Sequence, residues 1–153
     1  MADLVAVAAR VRALRPCLPL TVVGHSMGGG VALAAAARGM DADGLVLAAP
    51  AIWGGEEMNP VHRVAAWTAA VFVPEKRFTG EGIVEIQATD NIPLLRQLAH
   101  DPHYLRPPSA RELYGLVRIT DLAAASAERV RMPSLLLLGD RDEIAPNDRV
   151  RRV

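Results

Sequence analysis

Ser26 lies in the run Leu20-Thr21-Val22-Val23-Gly24-His25-Ser26-Met27-Gly28-Gly29-Gly30, between apolar residues suited to a buried strand and the alanine-rich helical pattern Val31 to Arg38. A serine with glycine at i−2 and i+2, set between strand and helix, has the spacing of a nucleophile elbow. Such a turn is so tight that the serine backbone is strained and its neighbours must carry almost no side chain. Gly24 and Gly28 are predicted to provide that room, because glycine has no Cβ to collide. The hydroxyl is then held clear of the sheet, beside helix N-terminal N–H groups that can receive a developing oxyanion. Hydrolysis through a serine nucleophile is the chemistry that this pattern suits.

Other glycine-rich readings fail on residue identity. A phosphate-binding P-loop requires Lys and Ser/Thr where this chain has Gly30-Val31. A dinucleotide fingerprint requires a glycine where Ser26 stands and an acid at the end of the next strand. That strand, Leu45 to Ala49, runs instead into Pro50-Ala51, and Asp41 and Asp43 precede it. A plain Gly/Ser turn joining strand to helix is the bland alternative.

The elements that must position Ser26 follow from periodicity. Leu4, Val7, Ala8, Val11 and Leu14 recur at helical spacing and Pro16 stops that helix. A strand over Leu20 to Val23, a helix from Met27 to Arg38 closed by Gly39, and a second strand over Leu45 to Ala49 come next. Continuous apolar runs, without alternation, suit parallel strands covered on both faces. From Pro50 to Pro108 no strand is predicted. Helical pieces over His62 to Val73 and Ile92 to His100 are broken by Asp101-Pro102 and Pro107-Pro108, which suggests an inserted helical cap. Ser109 can cap a helix reaching about Arg129, with Leu113, Leu116, Val117 and Leu122 facing the core. Pro133 introduces a third strand, Leu135 to Leu138, followed by Gly139-Asp140-Arg141-Asp142. The organisation expected is α/β: residues 1–50 core, 51–108 cap, 109–153 core again.

The 153 residues are enough for one domain, and the seventeen basic and seventeen acidic residues cancel. Nothing in that balance favours nucleic acid or an anionic surface as partner. Cys17 is the single cysteine and fits a reducing, cytoplasmic setting as a loop residue. Val64 to Val73 is the longest strongly apolar stretch, too short for stable membrane insertion. No metal-ligand cluster is visible, and no cofactor is called for.

The chain resembles the α/β-hydrolase superfamily, and in pattern the monoacylglycerol lipase and lysophospholipase group of S33-type, serine-aminopeptidase-like hydrolases. Gly24-His25-Ser26-Met27-Gly28-Gly29 matches their elbow. Pro133 to Gly139 with Asp142, and Pro146 beyond, matches their seventh strand and acid loop; Leu94 to Leu105 is similar to their cap. The resemblance implies a partial hydrolase core built from the family's parallel strands 5, 6 and 7. Ser26 would attack an ester carbonyl, the Met27 N–H would donate to the oxyanion, and Asp142 would orient a histidine. For Asp142 a solvated loop carboxylate is the bland alternative, with Asp140 and Glu143 beside it.

No histidine follows Asp142 up to Val153, and the family's upstream oxyanion loop is not found. His25 is read as structural, and His62, His100 and His103 as cap surface. Loss of one triad member leaves about 10³–10⁴-fold over water, and loss of an oxyanion donor removes about 10²–10³ more. The expectation is a truncated serine ester hydrolase with open sheet edges, prone to self-association. A catalytically silent remnant or interaction module is the competing one. Trp53, Trp67 and Phe72 in the cap suit a small lipid-ester substrate, or simply pack the cap on its core.

Overall fold

The computed structural model describes residues 1–52, 59–78, 91–101, 107–142 and 147–153. Trp53, His103, Glu143 and Pro146 lie outside them. The described residues form two compact units, one of 1–59 with 116–153 and the other of 60–115.

The first unit is built on three parallel strands, β1 (Thr21–His25), β2 (Gly44–Ala48) and β3 (Ser134–Leu137), in the order β1-β2-β3. β1 leads into α2 (Met27–Ala36) and α2 into β2, as the apolar runs predict. Each strand is displaced by a residue or two from its apolar run. Ladder hydrogen bonds set the ends, and glycine at 44 and serine at 134 take part as readily as leucine does.

Side chains alternate between the two faces, and the faces differ. Val22, Leu45 and Ser134 share one level of the first face, and Gly24, Leu47 and Leu136 the next. Leu45 and Leu47 are buried there against Ala32, Leu33, Ala35 and Ala36 of α2, with Ala8 of α1 (Ala2–Leu14) in the same core. The other face carries Val23, Val46 and Leu135 side by side, then His25, Ala48 and Leu137. Val23 is 68% exposed and Leu135 54%. Among the described residues, the covering on both faces that the apolar runs imply is therefore found on one face only, and there over β1 and β2, since Leu136 of β3 is exposed. Val7, Val11 and Leu14 of α1 are exposed as well, so only part of that predicted stripe reaches the core.

α2 stops at Ala36, two residues short of the predicted Arg38, and the turn that follows closes on Gly39 as its sequence anticipates. Gly39 has φ +81°, its N–H donates to the Ala36 carbonyl, and the Met40 N–H reaches back to Ala35. This is a Schellman ending with glycine in the left-handed position and buried Met40 supplying the apolar contact. An added Cβ at position 39 meets nothing within 4 Å, so Gly39→Ala changes backbone energy alone. The expected cost is about 1 kcal/mol by urea unfolding.

Arg12 ties α1 to the loop before β2. Its guanidinium donates to Asp41 at 3.2 Å, to Asp43 at 2.7 Å and to the Leu18 carbonyl at 2.9 Å. Asp43 also accepts the Leu20 N–H at 2.7 Å. That backbone bond first, and Arg12 second, hold the Asp43 carboxyl below the ordinary aspartate value. A depressed carboxylate contributes stability above its unfolded pKa, and loses it as pH falls through the folded one. Acidification below about pH 4 is expected to destabilise the native chain more steeply than Asp43→Asn, with unfolding curves at stepped pH as the check.

The second unit contains α3 (Pro60–Phe72), α4 (Ile92–His100) and the start of α5 (Ala110–Ala124). Asn91 caps α4 through the Leu94 N–H, and α4 has the predicted bounds. Ser109 caps α5 in a reciprocal box: its N–H donates to Glu112 at 2.7 Å and its Oγ accepts the Glu112 N–H at 3.3 Å. Ser109→Ala is expected to cost about 1 kcal/mol in the same unfolding measurement. A single antiparallel bridge joins Arg77 and Ser109. α5 stops at Ala124, short of the predicted Arg129, and a 3-10 turn over Ala127–Arg129 follows. Ser126 Oγ donates to the Leu122 carbonyl at 2.6 Å, tightening that end. Of α5, Ala110, Thr120 and Ala123 are buried, whereas Leu116 is exposed and Leu113, Val117 and Leu122 are half-buried. Among the described residues no helix is long and apolar enough to cross a membrane.

Candidate active site

Ser26 occupies the turn between β1 and α2 with φ 51° and ψ −123°. Such a conformation is strained for any residue with a Cβ, and strain of this kind persists only where surrounding structure over-determines it. The determinants are visible. The Ser26 N–H donates to the Ala48 carbonyl at 2.9 Å, and its own carbonyl accepts from Ala51 at 2.9 Å and Gly29 at 3.0 Å. Both backbone groups of the serine are therefore held.

The glycines divide unequally. A Cβ on Gly24 would lie 2.7 Å from the Gly28 oxygen and 2.7 Å from the Gly29 Cα, so the glycine two residues before Ser26 is required. A Cβ on Gly28 would meet nothing within 4 Å among the described residues, so the crowding expected there is not found. It falls on Gly29 and Gly30, where a Cβ would lie 2.7 Å from the Pro50 Cβ and from the Ala51 oxygen respectively. Spacing alone cannot show this, because the crowding comes from the turn after β2, distant in sequence.

The Ser26 side chain does not cap α2. Its hydroxyl is thus not spent on the first-turn N–H groups, which include that of Met27, the expected oxyanion donor. Met27 is 42% exposed and Ser26 half-buried.

Asp142 belongs to the turn after β3, with its N–H on the Gly139 carbonyl at 3.3 Å. Asn147 Nδ2 donates to the same carbonyl at 2.9 Å, bracing that turn from α6 (Asn147–Val150). Asp142 is half-buried. Because the strands are parallel, Ser26 and Asp142 both leave the carboxyl edge of the sheet, from strands one apart from the central β2 on either side. At about 4.8 Å per strand, those two strands are roughly 10 Å apart. His25 is exposed on the uncovered face of β1. His62 is on α3 and His100 on α4, where its Nδ1 lies 2.7 Å from the Arg96 carbonyl. Among the described residues no group of three His, Cys, Asp or Glu is placed to hold a metal ion.

The family model for serine aminopeptidase, S33, matches residues 1–153. No curated protein matches the chain. Among solved structures, a monoacylglycerol lipase of Paleococcus ferrophilus is similar at 22% identity with a TM-score of 0.74, over 96% of this chain and 55% of that one. A thermostable carboxyl esterase of Bacillus coagulans, solved with glycerol, is similar at 19% identity and TM-score 0.57, over 99% of this chain and 66% of its own. A soluble variant of the Saccharomyces cerevisiae monoglyceride lipase, solved with a substrate analogue, gives 18% and 0.58, over 99% and 64%. These likenesses concern the fold, and the chain spans between about half and two thirds of each relative's length.

Proposed function

Because the chain belongs to the serine aminopeptidase, S33, family and has an α/β-hydrolase core, we propose that it carries the nucleophile and acid of a serine carboxylic-ester hydrolase. The observation that carries this reading is the strained Ser26, clamped at both backbone groups with its hydroxyl left out of the helix cap. Ser26 Oγ adds to the ester carbonyl as its proton passes to a base. The carbonyl oxygen becomes an oxyanion facing the Met27 N–H. Collapse expels the alcohol, which takes the proton back, and water repeats the sequence on the acyl-serine. Asp142 orients the base and offsets its charge. That base would be a histidine, and none follows Asp142 in this sequence.

Lipid esters are the proposed substrate class. α3 exposes Val61, Val64, Trp67, Val71 and Phe72, an apolar surface of the kind an acyl chain prefers, and two of the similar structures are lipases of monoacylglycerols.

The test supplies the base from solution. Purified chain is incubated with a fluorophosphonate, with and without imidazole, and weighed intact beside Ser26→Ala. One adduct per chain, accelerated by imidazole and lost in the variant, is the expected result. A folded chain that takes up no probe even with imidazole would sink the proposal. It would favour a silent scaffold whose bare Val23, Leu135 and Leu137 face serves association.

A further inference from the structure

His25 and Ala48 form the last pair of the β1–β2 ladder, and Ser26 and Ala49 are the residues that follow them. Ala49 has φ +43°, and Ser26 and Ala49 are the two non-glycine residues at positive φ among those described. Two adjacent strands thus end at the same level, each on a residue in the left-handed region. One strained residue is accounted for by a nucleophile elbow. The second lies on a different strand, in a residue with no reactive group.

What Ala49 accomplishes is visible in its neighbours. Its N–H continues the ladder to Leu137 at 2.8 Å, so β2 is still paired when the chain reverses. The reversal brings the Ala51 N–H back onto the Ser26 carbonyl within two residues, at 2.9 Å, while the Ala48 carbonyl takes the Ser26 N–H. Pro50, fully buried, lies over Gly29, and the Ala51 carbonyl lies over Gly30. An extended residue at 49 would carry the chain onward along the strand, and Ala51 could not reach back.

We infer that Ala49, Pro50 and Ala51 form a positioning turn that holds Ser26 in its strained conformation. The inference rests on Ser26 being the nucleophile. Ser26 φ and ψ set both the direction of Oγ and the place of the Met27 N–H. A misplacement of about 1 Å in such a pair costs on the order of 10²-fold in rate. The turn therefore acts on reactivity through backbone alone, as a set of positioning residues and not as catalytic ones.

Amide hydrogen exchange in the full chain tests this without requiring activity. Ala49→Val puts a β-branched side chain at positive φ, where it fits badly. Exchange of the Ser26 and Gly29 amides is expected to rise about tenfold or more, while Leu45 and Ala35 keep their rates. Ala49→Gly, which suits positive φ, is expected to restore native exchange at Ser26. Should Ala49→Val not fold, Pro50→Gly frees the same turn and is expected to show the same selective rise. Unchanged exchange at Ser26, or a rise shared equally with Leu45, overturns the inference, since a merely structural turn would loosen everything together. Fluorophosphonate labelling aided by imidazole is read in parallel, with a fall of about tenfold or more expected beyond any loss of folded chain. A native chain that takes no label rejects Ser26 as nucleophile. The exchange pattern then still decides whether the turn holds Ser26.

Discussion

Replacing Ser26 with glycine is expected to abolish fluorophosphonate labelling and, in the same protein, to raise stability by about 1 kcal/mol. The first effect needs only the loss of Oγ. The second follows from φ 51° and ψ −123°, a region that residues with a Cβ occupy at a cost on the order of 1–3 kcal/mol. Glycine removes that cost, though its freer unfolded chain returns about 0.5–1 kcal/mol. Ser26→Ala is the control, since it removes Oγ and keeps the Cβ. The glycine variant should therefore be more stable than the alanine variant by urea unfolding. Equal midpoints for the two would mean that the backbone relaxes and stores no strain. Stability gained by removing a reactive residue is a common trade at functional sites.

Gly24→Ala is expected to be the most damaging single substitution in the core, at about 3 kcal/mol or more. Its Cβ would stand 2.7 Å from the Gly28 oxygen and the Gly29 Cα, and 2.9 Å from the Gly28 carbonyl carbon. All three are backbone atoms, so no side chain can swing aside, and relief requires α2 to move away from β1. Overpacking in a core costs about 1–3 kcal/mol when side chains can adjust, and this site has none to adjust. Gly28→Ala is the contrast. It adds a Cβ into open space near the start of α2 and is expected to be neutral or stabilising by up to about 1 kcal/mol. Thermal and urea unfolding of the pair would show whether both glycines of the motif are steric requirements. Similar losses for the two would contradict the geometry.

Much of this was legible in the residues. Strand–turn–helix around Ser26 follows from an apolar run meeting glycines and then alanines, because each is a local preference of the backbone. Gly39 ending α2, Ser109 opening α5 and the bounds of α4 have the same origin. The limits of α5 were less legible. Ser126 folds its hydroxyl back onto Leu122, and the i−3 backbone bonds of Ser126 and Arg129 mark where the helix gives way. Leu116 reads as a core position by spacing and is exposed, since periodicity gives a face and not what packs against it.

By itself, the sequence determined the element order, the place of Ser26 at a tight turn and the position of Asp142 beyond the third strand, with an α/β-hydrolase likeness to match. These depend on neighbours within a few residues, where backbone sterics and short-range hydrogen bonds dominate. Tertiary structure alone decided that Gly29 and Gly30, and not Gly28, carry the crowding, and that Ala48 and Ala51 clamp the serine. It alone decided that Ala49 turns at positive φ and that Val23, Leu135 and Leu137 are bare. Each of these depends on which segment, more than twenty residues away, comes to lie alongside. No local preference encodes the distance between two chains that meet only when the sheet forms.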